Sequence, residues 1–148
     1  MNTLEAPGNH IIIGRVERVN FPEWELFDID AKIDTGAYTS SLHCHHIHVF
    51  KKNNKRYVRF NLLDPSHEIY NEKLFELPVY KSKKIKSSNG LSEKRIIVKT
   101  TIQIANKNLQ AELSLTDRSK MRYPVLIGRK LIRKGHFLVD VARTYISQ

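Results

Sequence analysis

Alternation of apolar and polar positions is the clearest signal in the chain. Between residues 26 and 34, Phe27, Ile29, Ala31 and Ile33 fall on one parity, and Leu26, Asp28, Asp30, Lys32 and Asp34 on the other. A period of two predicts a strand with one buried face. The same pattern recurs at Val58, Phe60 and Leu62; at Phe75, Leu77 and Val79; at Ile96, Val98, Thr100, Ile102 and Ile104; and at Leu109, Ala111, Leu113 and Leu115. Ile11 to Val16 predicts a first strand and residues 135–141 a last one. Turn residues separate these runs: Asn20-Phe21-Pro22-Glu23, Lys51 to Arg56, Asp64-Pro65-Ser66-His67, Asn89-Gly90 and Asn106-Lys107-Asn108. Asn-Gly is the strongest of them, because both residues tolerate the left-handed conformation that a tight hairpin needs. Pro78 interrupts its strand and predicts an edge position. Helical periodicity is almost absent, apart from a short run after Gly128. The expectation is an all-β barrel or sandwich.

A chain of 148 residues is long enough for one domain with one core. That core is expected over residues 11–145, with residues 1–10 as a flexible N-terminus. No apolar run approaches the ~20 residues that span a bilayer, and the polar start lacks an apolar leader region. One cysteine, Cys44, excludes an internal disulfide framework and fits a reducing compartment. These features point to a soluble cytoplasmic protein with no membrane partner. The formal charge of +10 predicts attraction to polyanions, such as acidic protein segments or nucleic acid. The chain carries no zinc-finger spacing, RNA-recognition signature or helix-turn-helix pattern.

Two stretches carry candidate chemistry. Asp34-Thr35-Gly36-Ala37 places a carboxylate at a strand end, followed by a hydroxyl and a glycine that lets backbone approach closely. The loop suits either a reacting group or a structural cap. Thr39, Ser40 and Ser41 follow, with hydroxyls able to bond that loop or their own backbone. His43-Cys44-His45-His46-Ile47-His48 is the metal candidate. On a regular strand His46 and His48 share a face with Cys44, while His43 and His45 take the other. Same-face neighbours lie roughly 6–7 Å apart, too far for three to converge on zinc at about 2.0–2.3 Å. No metal is therefore expected, with His43, His45, His46 and His48 kept as candidates for zinc.

Asp34-Thr35-Gly36-Ala37 together with Pro124-Val125-Leu126-Ile127-Gly128-Arg129-Lys130-Leu131-Ile132 resembles the single-lobed, retropepsin-like aspartic-protease fold. Further motifs narrow the match: Ala31 to Ala37, Lys86-Ser87-Ser88-Asn89-Gly90, Leu115-Thr116-Asp117-Arg118, and Met121 through Arg129. In combination they resemble the bacterial family labelled ATP-dependent zinc protease, which is associated with ATP-grasp glutamate ligases. The resemblance implies a closed barrel of six to eight strands with one short helix near the C-terminus. It implies a catalytic Asp34, Thr35 and Gly36, and substrate contacts from Ala37, Ser87, Ser88, Asn89 and Gly90. Gly128 and Arg129 would support the site.

The residues fit an acid-protease site better than that family label. The chain has no Gly-rich Walker loop and no H-E-x-x-H helix, so no resident cofactor is expected. ATP dependence would belong to a partner such as the ligase. One Asp-Thr-Gly implies a homodimer with an Asp34 dyad at its axis. The hairpin over residues 81–95 would close as a flap, and its cations suit an acidic or glutamate-bearing peptide. Viral retropepsins carry an acidic residue where this chain has Tyr38, so Arg129 is expected to pair with Asp117 or Asp140. Two alternatives remain open. One is a non-enzymatic module binding acidic peptides or polyanions through Lys51, Lys52, Lys55, Arg56, Lys83, Lys84 and Lys86. The other is a zinc-dependent peptidase using the histidine run.

Overall fold

A computed structural model describes residues 4–6, 8–62, 74–86, 90–117 and 122–147. It contains twelve strands and one short helix in these regions. β1 (Leu4–Ala6), β2 (His10–Gly14) and β3 (Val16–Phe21) lead into a 3-10 turn at Pro22–Trp24. β4 (Leu26–Ile33), β5 (Ser40–Lys52), β6 (Lys55–Leu62) and β7 (Leu74–Pro78) follow. Then come β8 (Lys81–Lys86), β9 (Ser92–Ile104), β10 (Lys107–Thr116), β11 (Val125–Ile127), α1 (Arg129–Lys134) and β12 (Phe137–Asp140).

The larger sheet runs β10-β9-β3-β4-β11-β5-β6-β7, and a parallel β10–β5 pairing closes its first six strands into a ring. β6 and β7 continue outward from β5, and β8 pairs with β9 outside the ring. β1, β2 and β12 form a separate three-stranded sheet. The mostly-β class with one short helix agrees with the sequence, and of the expected barrel the structure shows a ring of six strands with further strands appended. The β3–β9 joint rests on the single pair Asn20↔Gln103, so the ring lacks the continuous ladders of a barrel. Leu4–Ala6, within the expected flexible N-terminus, pairs with β2 as an edge strand.

Period-two burial is obeyed where the strands are regular. On β9, Ile96, Val98, Thr100, Ile102 and Ile104 are all buried, as are Ala111, Leu113 and Leu115 on β10. Each fully buried aliphatic or aromatic side chain contributes about 1.5–3 kcal/mol. Phe21, Trp24, Phe60 and Phe75 form an aromatic cluster, with Phe21 and Trp24 stacked at 5.0 Å between centroids. Pro78 ends the edge strand β7, as its missing N–H requires. Asn53 and Asn54 both take positive φ in the β5–β6 turn, the conformation of a type I′ hairpin.

Phe27 departs from the expected pattern: it is 54% exposed, and Leu26 is buried instead. A β-bulge in the β3–β4 ladder explains the exchange. The register passes from Val19↔Ile29 to Phe21↔Leu26, and Asp28 absorbs the extra residue at φ 57°. Beyond a bulge the two faces exchange.

Candidate active site

β4 delivers Asp34 to the end of the central strand pair. β11 runs parallel beside it, with Val125↔Ala31, Leu126↔Lys32 and Ile127↔Ile33 in register. Asp34 N–H donates to Ile127 O at 2.8 Å, so the two candidate motifs meet at the first residue of the loop. The turn closes on itself: Gly36 N–H donates to Asp34 Oδ1 at 2.9 Å, and Ala37 N–H to Asp34 O at 3.2 Å. One carboxylate oxygen is thereby fixed, leaving Oδ2 for other work. Asp34 is half-buried, whereas Thr35 and Gly36 are exposed at the loop tip.

The apolar-Gly-Arg stretch passes beneath this loop, as the resemblance implies. Arg129 N–H donates to Ala37 O at 2.7 Å and Lys130 N–H to Tyr38 O at 3.1 Å. The Arg129 guanidinium donates to Thr35 O at 3.1 Å and lies 5.7 Å from the centre of the Tyr38 ring. It therefore pairs with backbone and an aromatic face, where Asp117 or Asp140 was expected; Asp140 instead meets Arg143 at 3.4 Å. Ser40 Oγ accepts from Gly128 N–H at 3.0 Å, which settles the use of one of the three hydroxyls after the loop. Gly128 is required by close approach: a Cβ there would lie 2.8 Å from Tyr38 O and 2.9 Å from Ala37 O.

Asp34 opens onto a cleft of about 560 Å³. One wall is the loop, through Ala37, Tyr38 and Thr39. The opposite wall is the β8–β9 hairpin, through Lys83, Lys84 and Arg95. Ser41, Ser114, Ile97 and Leu126 complete the lining. Of the residues expected to touch substrate, Ala37 lines the cleft. Gly90 sits exposed past the end of β8, at φ 85°. Ser87, Ser88 and Asn89 lie outside the described residues, as do Asp64 to His67, Arg118 and Met121 of the sequence motifs. Arg95, Ile97 and Ser114 escaped the sequence reading as site residues. They reach the cleft through pairing between distant strands, which local pattern does not reveal.

Beside the cleft, Glu112 accepts from Lys130 and from Lys81, the latter at 3.3 Å. Lys130 foremost holds the Glu112 carboxyl below its usual range, burial opposes this, and Lys81 adds to the lowering.

The histidine run forms no metal centre. A bulge at His46, φ 56°, breaks the β5–β6 register between His45 and His48. His43 and Cys44 are buried, His45 and His46 stack ring on ring at 4.4 Å, and His46 Nδ1 bonds Asn61 Oδ1 at 3.0 Å. Among the described residues, no three His, Cys, Asp or Glu side chains are placed to hold one ion. The donors present thus do not fit a zinc site. Cys44 is no nucleophile either, since burial pushes its thiol well above the usual range. No helix among the described residues is long and apolar enough to cross a membrane.

Comparison with known proteins agrees with this geometry. A protein from Shewanella pealeana named "Probable alpha-L-glutamate ligase" is 37% identical over 141 residues, covering 93% of this chain and 30% of its own length. One of the same name from Parasynechococcus marenigrum is 31% identical over 134 residues, with coverage of 88% and 28%. The chain thus spans about 30% of the length of these curated relatives. A solved structure of a Legionella pneumophila protein of unknown function superposes with a TM-score of 0.77 at 30% identity, covering 93% of this chain and 98% of that one. Residues 12–148 match the model of a family described as RimB-like, "Retropepsin-like aspartic endopeptidase RimB". With that match over nearly its whole length, the chain belongs to the RimB-like family of retropepsin-like aspartic endopeptidases.

Proposed function

We propose that this chain is an aspartic-type peptidase whose catalytic dyad is completed by a second copy. The observation that carries the reading is Asp34 itself: a carboxylate fixed through one oxygen by Gly36 N–H and open to a cleft of about 560 Å³. Acid proteolysis needs two carboxylates sharing a proton. The ionised one takes a proton from water, which attacks the scissile carbonyl, while the protonated one donates to that oxygen. Collapse of the tetrahedral diol breaks the C–N bond, and the amine leaves with a proton from the dyad. A single Asp-Thr-Gly in the chain assigns the second carboxylate to Asp34 of a twofold-related copy. The exposed Thr35 would brace the loop across that axis, Gly36 would pair with the substrate backbone, and the β8–β9 hairpin would hold it by strand addition.

The cations of the cleft suit an acidic peptide, such as a protein tail carrying added glutamates. The glutamate-ligase name of the relatives supports the same chemistry, and a functional association with such an ATP-grasp ligase would place any use of ATP outside this chain. Asp34→Asn tests the proposal: cleavage of glutamate-rich peptides disappears while the melting temperature is retained. Cleavage that persists refutes it. The second reading, a polyanion-binding module, is favoured by Lys83, Lys84 and Arg95 facing one cleft and by the exposed hairpin tip of Lys51, Lys52 and Lys55. It predicts steeply salt-dependent binding with no turnover at all.

A further inference from the structure

Arg95 Nε and Ser114 Oγ are buried without a hydrogen-bond partner, and both residues line the Asp34 cleft. Strand register explains their meeting. Ser41 on β5 pairs with Ser114 on β10, and Ser114 pairs with Ile97 on β9. Arg95 lies two residues from Ile97 and so shares its face, opposite Lys83 on β8. Ser41, Ser114 and Ile97 thus line the cleft next to Arg95 and Lys83 of the hairpin wall.

The Arg95 side chain is only 15% exposed, and its partner in an ion pair is Glu93, 69% exposed and 3.7 Å from Nη2. A pair of that length at the rim holds the guanidinium weakly and does nothing for Nε. Buried polar groups in native proteins are normally satisfied, and an exception calls for a cause. Both orphaned atoms can donate, both residues line the same cleft, and the lining carries three cations against the one carboxylate of Asp34. In a cleft of that charge an anionic acceptor would suit both donors, and the planar fork of a guanidinium fits a carboxylate.

We propose that Arg95 and Ser114 form a carboxylate-binding subsite in the Asp34 cleft, with Arg95 as its specificity-determining residue. The inference rests on the reading of this cleft as the substrate cleft. Its ligand is a peptide carboxylate, from a glutamate side chain or from a chain terminus. Lys83 and Lys84 are exposed, so they attract acidic peptides without selecting among them.

Binding measured without turnover separates this inference from the catalytic one. Fluorescently labelled oligoglutamate, its glutamine counterpart and its C-terminally amidated form are titrated against Asp34→Asn protein at near-physiological salt. Arg95→Gln, added to that background, weakens oligoglutamate binding about tenfold or more; Arg95→Lys restores part of it. Arg133→Gln, the same charge change at an exposed position on α1 outside the cleft, moves it less than about twofold. Loss of affinity for the glutamine peptide identifies a side-chain carboxylate, and loss on amidation identifies a terminal one. Equal effects of Arg95→Gln and Arg133→Gln overturn the subsite in favour of general attraction. If Arg95→Gln does not fold, Ser114→Ala and the three peptides decide: equal affinity for all three overturns it. Residual cleavage by Asp34→Asn refutes the catalytic assignment and leaves the binding comparison standing.

Discussion

Replacing Gly128 by alanine tests whether the glycine beneath the Asp34 loop is what seats it. The added Cβ meets Tyr38 O at 2.8 Å, Ala37 O at 2.9 Å and the Thr39 carbonyl carbon at 2.9 Å, where ordinary contact begins at 3.4 Å. All three atoms are backbone, so no side chain can rotate away. The loop over residues 37–39 must retreat by about 0.6 Å, straining the Arg129 and Lys130 N–H bonds to it. Overpacking of this kind costs about 1–3 kcal/mol, and each weakened hydrogen bond about 0.5–1.5 kcal/mol. A loss near 3 kcal/mol lowers Tm by about 10 °C in a domain of this size. The assay is thermal unfolding followed by fluorescence of Trp24, the single tryptophan, which is 3% exposed and stacked on Phe21. Gly90→Ala is the control: open space surrounds it, and only its φ of 85° is strained, at a cost of about 1–2 kcal/mol. Peptide cleavage falls further than stability in Gly128→Ala, because displacing a catalytic group by ~1 Å costs on the order of a hundredfold. A Gly128→Ala protein melting within about 2 °C of wild type refutes the argument.

Glu17 is fully buried and accepts from Gly14 N–H at 2.6 Å, Ser147 Oγ–H at 2.7 Å, and Ile146 and Ser147 N–H at 3.2 Å. Glu17→Ala strands those donors and lowers stability by about 3 kcal/mol or more, with amide exchange speeding first at Ile146 and Ser147; an unchanged urea midpoint contradicts this. Glu112 has a depressed carboxyl in the folded state, so its contribution is present above the unfolded value of about 4.3 and is lost as pH falls through the lower folded value. Glu112→Gln therefore destabilises at neutral pH and converges with wild type in acid, as urea unfolding at several pH values will read; a gap that stays constant with pH excludes the ion pairs with Lys130 and Lys81 as its source.

Where strands are regular, side-chain alternation carried the fold in plain view: β9 and β10 bury the residues their period requires. Phe27 was misplaced because a bulge is a long-range fact, set by how β3 and β4 pair. Asp34 and Gly128 were legible together because their chemistry is local: a carboxylate turn, and a glycine under it. Arg129 was legible as a support but not in its partner, since a backbone carbonyl leaves no mark in the sequence. Arg95 and Ser114 were invisible as site residues. Their place in the cleft depends on the parallel β10–β5 closure and on the β8–β9 hairpin, which join segments far apart in the chain. The histidine run looks like a metal site by composition alone; strand spacing already argued against convergence, and the bulge at His46, which sets His45 and His46 ring on ring, is a long-range fact the sequence does not show.

Mixing of wild-type and Asp34→Asn subunits tests the central claim most directly. Co-refolding the two at varied ratios and measuring cleavage of a glutamate-rich peptide reads how many Asp34 carboxylates one active centre contains. A dyad shared between two copies makes activity follow the square of the wild-type fraction, so an equal mixture retains about one quarter. Activity directly proportional to that fraction would mean that each copy works alone, and would contradict the account.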